Sequence, residues 1–426
     1  MTFNEDFLHF VWKYHLFNHK ELFTDSNEPV EIISPGFHNT HAGADFENVK
    51  IRIADTLWVG NVEIHIKSSD WDRHDHTSDE SYNNVILHVV YEKDRAVFRS
   101  DGTQIATLTL KEHLLPGIEQ RYKDLMENLS WIPCEKVVHN VEDIHFRSWL
   151  ARVLIERLED KSALVLDLLK ECKGSWDDVF YWLLARNLGF KTNAVPFELL
   201  ARSLPQQILA KHKSSARQIE ALVFGQAGLL KHPEDEYSLA LHKEYIYLQH
   251  KYQLKPIDAY LWRFMRLRPQ NFPSIRLAQF AALIIKSQYL FSRILDMKNS
   301  KDIISVFRDL PVNYYWKKHY RFGKVSENVC SDLGLNSVHN ILLNSVVISL
   351  FSFGKYTGNQ QLIDRALELL ENLPPETNQI INQFKSLGLR ADTAAGSQAL
   401  LQLKKYYCDQ KKCVTCAIGA KIIKVV

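Results

Sequence analysis

The sequence predicts an α+β protein, with an N-terminal α/β mixed-sheet domain followed by a large all-α helical domain. Three observations carry this. Short β-like runs crowd the first 115 residues, helical periodicity takes over from about Pro116, and the charge changes sign at the same place. A chain of 426 residues is also too long for one hydrophobic core, so more than one domain is expected.

The elements follow in order. Phe7, Leu8, Phe10, Val11, Tyr14, Leu16 and Phe17 recur near helical spacing, which predicts an opening helix over 4–19. Strands are expected at Val30–Ser34, Val49–Ile53, Leu57–Ile66, Val85–Tyr91, Ala96–Arg99 and Ile105–Leu110, with Ser100-Asp101-Gly102-Thr103 turning a hairpin between the last two. Residues 1–115 thus form the sheet domain and 116–407 the helical one. The helices expected there are Phe146–Glu171, Ser175–Leu188, Pro196–Leu204, Ala216–Gly225, Asp235–Tyr252, Ile275–Ser287, Val338–Phe353, Gln360–Leu373 and Ala395–Tyr407. Asp392 or Thr393 is the N-cap of the last, and residues 408–426 read as a cysteine-bearing tail.

Residues 1–115 hold 19 Asp/Glu against 10 Lys/Arg, whereas the rest of the chain holds 42 Lys/Arg against 31 Asp/Glu. Ten of the 18 histidines also fall in the first part. An acidic, His-rich segment joined to a basic one fits a cation site beside a surface that attracts a polyanion such as DNA or RNA. No apolar run approaches the roughly 18–20 residues of a membrane span, and the N-terminus lacks the pattern of a signal peptide, so a cytoplasmic protein is expected. No phosphate-binding glycine loop or dinucleotide fingerprint supports ATP or NAD dependence.

The densest chemistry lies at Trp58-Val-Gly-Asn-Val-Glu-Ile-His-Ile-Lys67. In an extended strand Val62, Ile64 and Ile66 enter a core while Glu63, His65 and Lys67 line the other face. Such a face is costly to bury unless it holds a metal or a substrate. Asp45, His74, His76, Asp79 and His88 fall within the same 44 residues. Glu63 and His65, about 6.6 Å apart along the strand, can converge on one ion, with Asp45 as a third ligand. Lys67, about 13 Å of rise from Glu63, suits a phosphate contact better. Carboxylate-dominated ligation favours Mg²⁺ or Mn²⁺, and His-dominated ligation by His65, His74, His76 and His88 favours Zn²⁺ or Fe.

The order helix, strand, Gly-Ala-Asp45-Phe, Glu63-x-His65-x-Lys67 resembles the PD-(D/E)xK nuclease superfamily. The resemblance implies a nuclease-like, divalent-metal-dependent phosphodiester hydrolase in which Asp45 and Glu63 bind the ion, His65 is ligand or base and Lys67 steadies the phosphate. Glu5 or Glu21 matches that superfamily's occasional extra acid. Ala44 stands where the motif has Pro, and His65 where it has Lys. The whole chain also resembles an uncharacterised bacterial family of unknown function, through Asn39 to Phe46, Gly60-Asn-Val-Glu-Ile-His65, Ser69-Asp-Trp71, Arg268-Pro-Gln-Asn-Phe-Pro273 and the terminal cysteines.

Cys408-x4-Cys413-x2-Cys416 lets three thiolates reach one metal, and Cys134 is the best fourth ligand for a Zn²⁺ or an iron–sulfur cluster. Some PD-(D/E)xK nucleases hold an iron–sulfur cluster with a similar set, in a different order along the chain. In the helical part Arg263, Arg266, Arg268 and Arg276 flank one motif, and Tyr314-Tyr-Trp-Lys317-Lys318-His-Tyr-Arg-Phe-Gly-Lys324 interleaves cations with aromatics. Cations can neutralise phosphates while rings stack on bases, so Arg266, Arg268, Lys317 and Lys318, with His74 and His76, are expected to bind substrate. Two further readings stand beside the nuclease: a His-rich metal hydrolase of another type, and an inactive nucleic-acid- or protein-binding scaffold.

Overall fold

The computed structural model describes residues 4–287, 289–297, 299–327 and 329–424. The chain forms two compact units, Met1–Leu150 with Gln402–Val426, and Ala151–Leu401.

The first unit is built on a mixed sheet of β1 (Val30–Ser34), β2 (Phe37–His38), β3 (Phe46–Ile53), β4 (Thr56–Lys67), β5 (Val85–Glu92) and β6 (Thr107–Thr109). The order is β1-β3-β4-β5-β6, with β2 alongside β3. β1, β3 and β4 pair antiparallel, and β5 runs parallel to both β4 and β6. Alternation along β4 sends Val62 and Ile64 into the main core. There they meet Phe7, Leu8, Val11 and Trp12 of helix α1 (Glu5–Lys13). The opposite face carries a small apolar cluster of Ala44, Trp71, Val85, Val97 and Ile105 beside its polar residues. Trp71 belongs to the short helix α2 (Asp70–Arg73).

Two local differences from the expected elements stand out. The opening helix stops at Lys13, because His15 adopts φ 53° and the chain turns back to pair Phe17 with Leu114. Leu16 and Phe17 stay buried, which is why the apolar pattern runs on past the helix. The run 96–99 makes one bridge, Phe98 to Gln104, rather than a strand. Its turn is as read: Gly102 has φ 80°, and Asp101 Oδ1 accepts from the Thr103 N–H at 2.8 Å.

By composition and periodicity the sheet domain is expected to end at 115, with 408–426 set apart. In the structure both neighbouring segments belong to the first unit. Helix α3 (Ile118–Glu127) contributes Ile118, Tyr122 and Leu125 to the main core, and the C-terminal helix Ala417–Lys424 contributes Ala420 and Ile423.

In the second unit consecutive helices pair, as in Trp176–Leu188 with Phe190–Ser203 and Ala216–Gln226 with Glu236–Tyr252. The latter pair crosses so closely that a Cβ on Gly225 would lie 2.1 Å from the Tyr245 ring. Asp235 caps Glu236–Tyr252 through a capping box. Of the two cap candidates before Ala394–Gln402, Thr393 is the one whose hydroxyl accepts from the Gly396 N–H, at 3.3 Å. Pro196 lies inside Phe190–Ser203, which kinks at Asn193. Among the described residues one stretch, Leu335–Thr357, is long and apolar enough to cross a membrane, although no unbroken apolar run marks it in the sequence. It is mostly buried inside the protein, as a core helix is.

Candidate functional site

The polar face of β4 and β5 is a buried cluster of histidines and carboxylates. Glu63 and His65, 5 % and 1 % exposed, point from β4 as alternation requires, and His88 enters from β5, opposite Glu63 in register. His74 and His76 arrive from the loop after α2. Asp75 between them takes φ 64°, a left-handed conformation that Asp tolerates. The chain therefore reverses, and the His76 N–H bonds back to the Trp71 carbonyl at 3.1 Å. Trp71, fully buried, walls the cluster: its ring centroid lies 5.3 Å from those of both His76 and His88, and its indole N–H donates to Thr77 Oγ1 and the Phe98 carbonyl. Tyr82 stacks on His76 at 3.8 Å.

One ring nitrogen from each of His65, His74 and His76 lies within 4.8 Å of the other two. His65 Nε2 is 3.2 Å from His74 Nδ1. A tetrahedral ion with bonds of about 2.0–2.1 Å holds its ligand nitrogens ~3.3–3.4 Å apart, so this pair already has ligand spacing. Glu63 Oε1 lies 3.2 Å from His76 Nε2 and 3.6 Å from His65 Nε2. His76 Nε2 is buried against the Glu63 carboxylate. A buried imidazole nitrogen beside a carboxylate and two further imidazoles is a donor set that could hold a transition-metal ion.

His65 Nδ1 and His88 Nε2 are 2.8 Å apart. If Nδ1 of His65 carries the proton and donates it there, its Nε2 lone pair faces His74, which is the tautomer a metal ligand needs. Burial, followed by the charges of His88, His76 and His74, pushes the His65 pKa down to about 2. Burial, followed by His76, pushes His88 down to about 3. Both rings are thus neutral donors at ordinary pH.

Asp45 and Glu63 tie the loop before β3 to β4. Glu63 Oε2 accepts from the Asp45 N–H at 3.0 Å, and Asp45 Oδ2 accepts from the Ile64 N–H at 2.9 Å. Asn39 shapes the preceding loop, donating to the carbonyls of Ala42 and Ala44 and accepting from the His41 N–H. Burial, with the nearby Asp45 charge, raises the Glu63 pKa although the His76 side chain opposes the shift. His9 of α1 sits 3.1 Å from Asp45 Oδ2. Burial works against its charge, but Asp45, with Asp6 and Glu5, raises its pKa overall. Glu5 faces the same cluster, where burial raises its carboxyl and the Asp45 charge adds to this.

The expected residues therefore divide. Asp45, Glu63, His65, His74, His76 and His88 come together, and Glu5 joins them whereas exposed Glu21 does not. Lys67 is exposed at the end of β4, its backbone N–H bonded to Asp70 Oδ2. Arg266, Arg268, Lys317 and Lys318 are exposed in the second unit. The rings interleaved with those lysines are largely turned inward: Trp316 is fully buried and stacked on Phe224 at 5.0 Å, and Tyr315 stacks on Tyr237 at 4.2 Å. Arg276 is also buried, donating to Gln279, Asn271 and Ser337, so it does not offer its charge to a phosphate. His9 was missed because it stands among apolar neighbours in α1. Its spacing of four from Glu5 is the one signal that pairs them on a helix face. A cleft of about 770 Å³ in the first unit, between Arg121, Asn128, Val137 and Lys421, contains none of these residues.

The first unit is thus a mixed-sheet unit with an imidazole- and carboxylate-lined site on one face. The chain belongs to the family described as "Protein of unknown function (DUF2851)", which matches residues 5–379. That span holds every residue of the site and Cys134, and ends before Cys408. No curated protein and no solved structure matches the chain significantly.

Proposed function

We propose that the protein is a metal-dependent hydrolase whose ion is held by His65, His74 and His76. The observation that carries this is the mutual approach of their three ring nitrogens beside Glu63. His65 and His76 are buried while His74 is exposed, so three protein donors leave a coordination position facing solvent, the pattern of catalytic rather than structural zinc sites. Nitrogen-rich donors favour Zn²⁺ or Fe²⁺ over Mg²⁺ or Mn²⁺. A bound ion would supply Lewis acidity and ease deprotonation of water at neutral pH. Glu63, its carboxyl poised upward by burial, takes the proton, and His88 orients His65. Nucleic-acid phosphodiesters are the first substrate class, supported by the Asp45 and Glu63 carboxylates beside the imidazoles and by the basic second part of the chain. Six reduced cysteines fit a cytoplasmic setting.

The test is metal analysis of the purified chain together with cleavage of DNA and RNA in Mn²⁺, Zn²⁺ or Mg²⁺. Stoichiometric metal lost in His74→Ala, with cleavage lost in Glu63→Gln, is the expected result. Cleavage that survives both substitutions sinks the assignment. A second reading, a PD-(D/E)xK-type Mg²⁺ site at Asp45 and Glu63, is favoured by the direct linkage of those two residues. It predicts Mg²⁺-dependent cleavage that needs Asp45 and is indifferent to His74.

A further inference from the structure

We propose that Cys134, Cys408, Cys413 and Cys416 form a second, independent metal centre, a four-thiolate site for a thiophilic ion or cluster. None of the six cysteines forms a disulfide, and these four all lie in the first unit although 274 residues separate Cys134 from Cys408. Cys413 and Cys416 are buried, and Cys134 and Cys408 half-buried. Cys134 and Cys413 both adjoin the main core.

Two turns present them. Cys134 heads one, its carbonyl accepting from the Val137 and Val138 N–H groups at 3.0 and 2.8 Å. The other runs from Cys408 to Cys416. Lys411 at φ 51° reverses the chain there, and the Lys411 N–H bonds to the Cys408 carbonyl at 3.2 Å. Side chains clamp the two segments together: Lys411 Nζ donates to the Met126 carbonyl, and Lys404 Nζ lies 5.0 Å from the Trp131 ring centroid. At Gly419 any Cβ would stand 2.4 Å from the Cys413 carbonyl oxygen, so glycine lets the C-terminal helix close on the turn.

The electrostatics agree. Burial first, then the charge of Cys416, pushes the Cys134 thiol up to about 12. Burial, then Cys416 and Cys134, does the same to Cys413, and Cys408 is raised by burial and by all three others. As bare thiols the four are poor hydrogen-bonding groups crowded against a core. A cation among them exchanges the thiol protons for metal–sulfur bonds and neutralises the assembled charge. Four sulfurs from two turns suit a tetrahedral Zn²⁺ or an iron–sulfur cluster equally, and the Cys-x4-Cys-x2-Cys spacing occurs with both kinds of chemistry.

The experiment uses the full chain purified without oxygen. Zinc or iron should occupy this centre in addition to any ion at the imidazole site: Cys416→Ser should lose that share, Cys172→Ser should keep it, and His74→Ala should lose only the imidazole site's ion. A colourless zinc protein identifies the ion, and visible absorption bleached by reductant identifies the cluster. Should Cys416→Ser not fold, the wild type suffices. Four of its six thiols should resist a thiol reagent until a chelator is added, and Co²⁺ given to the stripped, reduced chain should produce thiolate-to-cobalt absorption. Six thiols of equal reactivity before and after chelation, with no such absorption, overturn the proposal. His74→Ala separates it from the imidazole site: that reading can fail with this one intact, and the reverse.

Discussion

At the scale of single residues Glu63 has the most to do. It accepts the Asp45 N–H that ties the loop to β4, and it lies beside two imidazole nitrogens. Glu63→Gln keeps an acceptor for the N–H while removing the charge whose burial is unfavourable, so thermal stability should change little. Hydrolysis should fall about 10²–10⁴-fold, as when a general base is lost. A fall matched by an equal loss of folded protein, read by circular dichroism, would count against the catalytic role. The histidines titrate in opposite directions. In the metal-free protein His65 and His88 are held neutral down to about 2 and about 3, whereas in the unfolded chain they ionise near 6.5. The unfolded state then binds more protons below pH 6.5, and stability falls as the pH drops through that window. His9 is raised, so its contribution is complete below 6.5 and is lost as the pH rises through its folded value. Ring proton resonances of chelated protein should show His9 titrating above 6.5, and His65 and His88 unmoved at pH 5. Normal titration of the latter two would refute the burial argument. Alternation made Glu63 and His65 legible in the sequence. The approach of His74 to His76 depends on the left-handed backbone of Asp75, which no pattern of residue types announces.

At the scale of elements, β4 has to hold two registers at once, antiparallel to β3 and parallel to β5, with an irregularity at Asn61/Val62. Gly60 makes that passable: a Cβ there would lie 2.5 Å from Ile86 Cγ2 and 2.7 Å from the Asn84 carbonyl oxygen. Gly60→Ala should therefore cost about 1–3 kcal/mol, the usual penalty for overpacking. Because the same register sets His88 opposite Glu63, metal affinity should weaken with it. Val59→Thr, next door and 59 % exposed, should stay within about 0.5 kcal/mol. Urea unfolding of the two variants decides the point, and an unchanged Gly60→Ala midpoint refutes it. Most long helices were legible because caps such as Ser175 and Asp235 and apolar spacing agree. The kink at Asn193 and the wide turns at Leu342–Val346 and Leu403–Cys408 were not, since neighbouring side chains rather than local propensity fix them.

At the scale of the molecule, the first unit is closed by the far end of the chain. Arg121 Nε donates to the Ile423 carbonyl at 2.9 Å across 302 residues, and the Ile423 side chain is fully buried among core residues of α1, α3 and the sheet. Nothing in the short run Ala417–Lys424 marks it as core, because its amphipathic pattern fits any helix that covers an apolar surface. The change of charge and periodicity near residue 115 was legible, but the first unit runs on to Leu150. That change did not reveal which unit the tail completes, since composition carries no information on long-range pairing. The consequence is measurable. Ile423→Ala removes a buried aliphatic side chain and should cost about 2–5 kcal/mol, although it lies more than 300 residues from the strands it covers. Amide hydrogen exchange should quicken in Phe46–Ile53, Thr56–Lys67 and Val85–Glu92. It should be unchanged in Ala216–Gln226 and Glu236–Tyr252 of the second unit. Uniform acceleration across both units would mean that they unfold as one, and exchange unaltered in the strands would mean that the C-terminal helix is dispensable to the sheet.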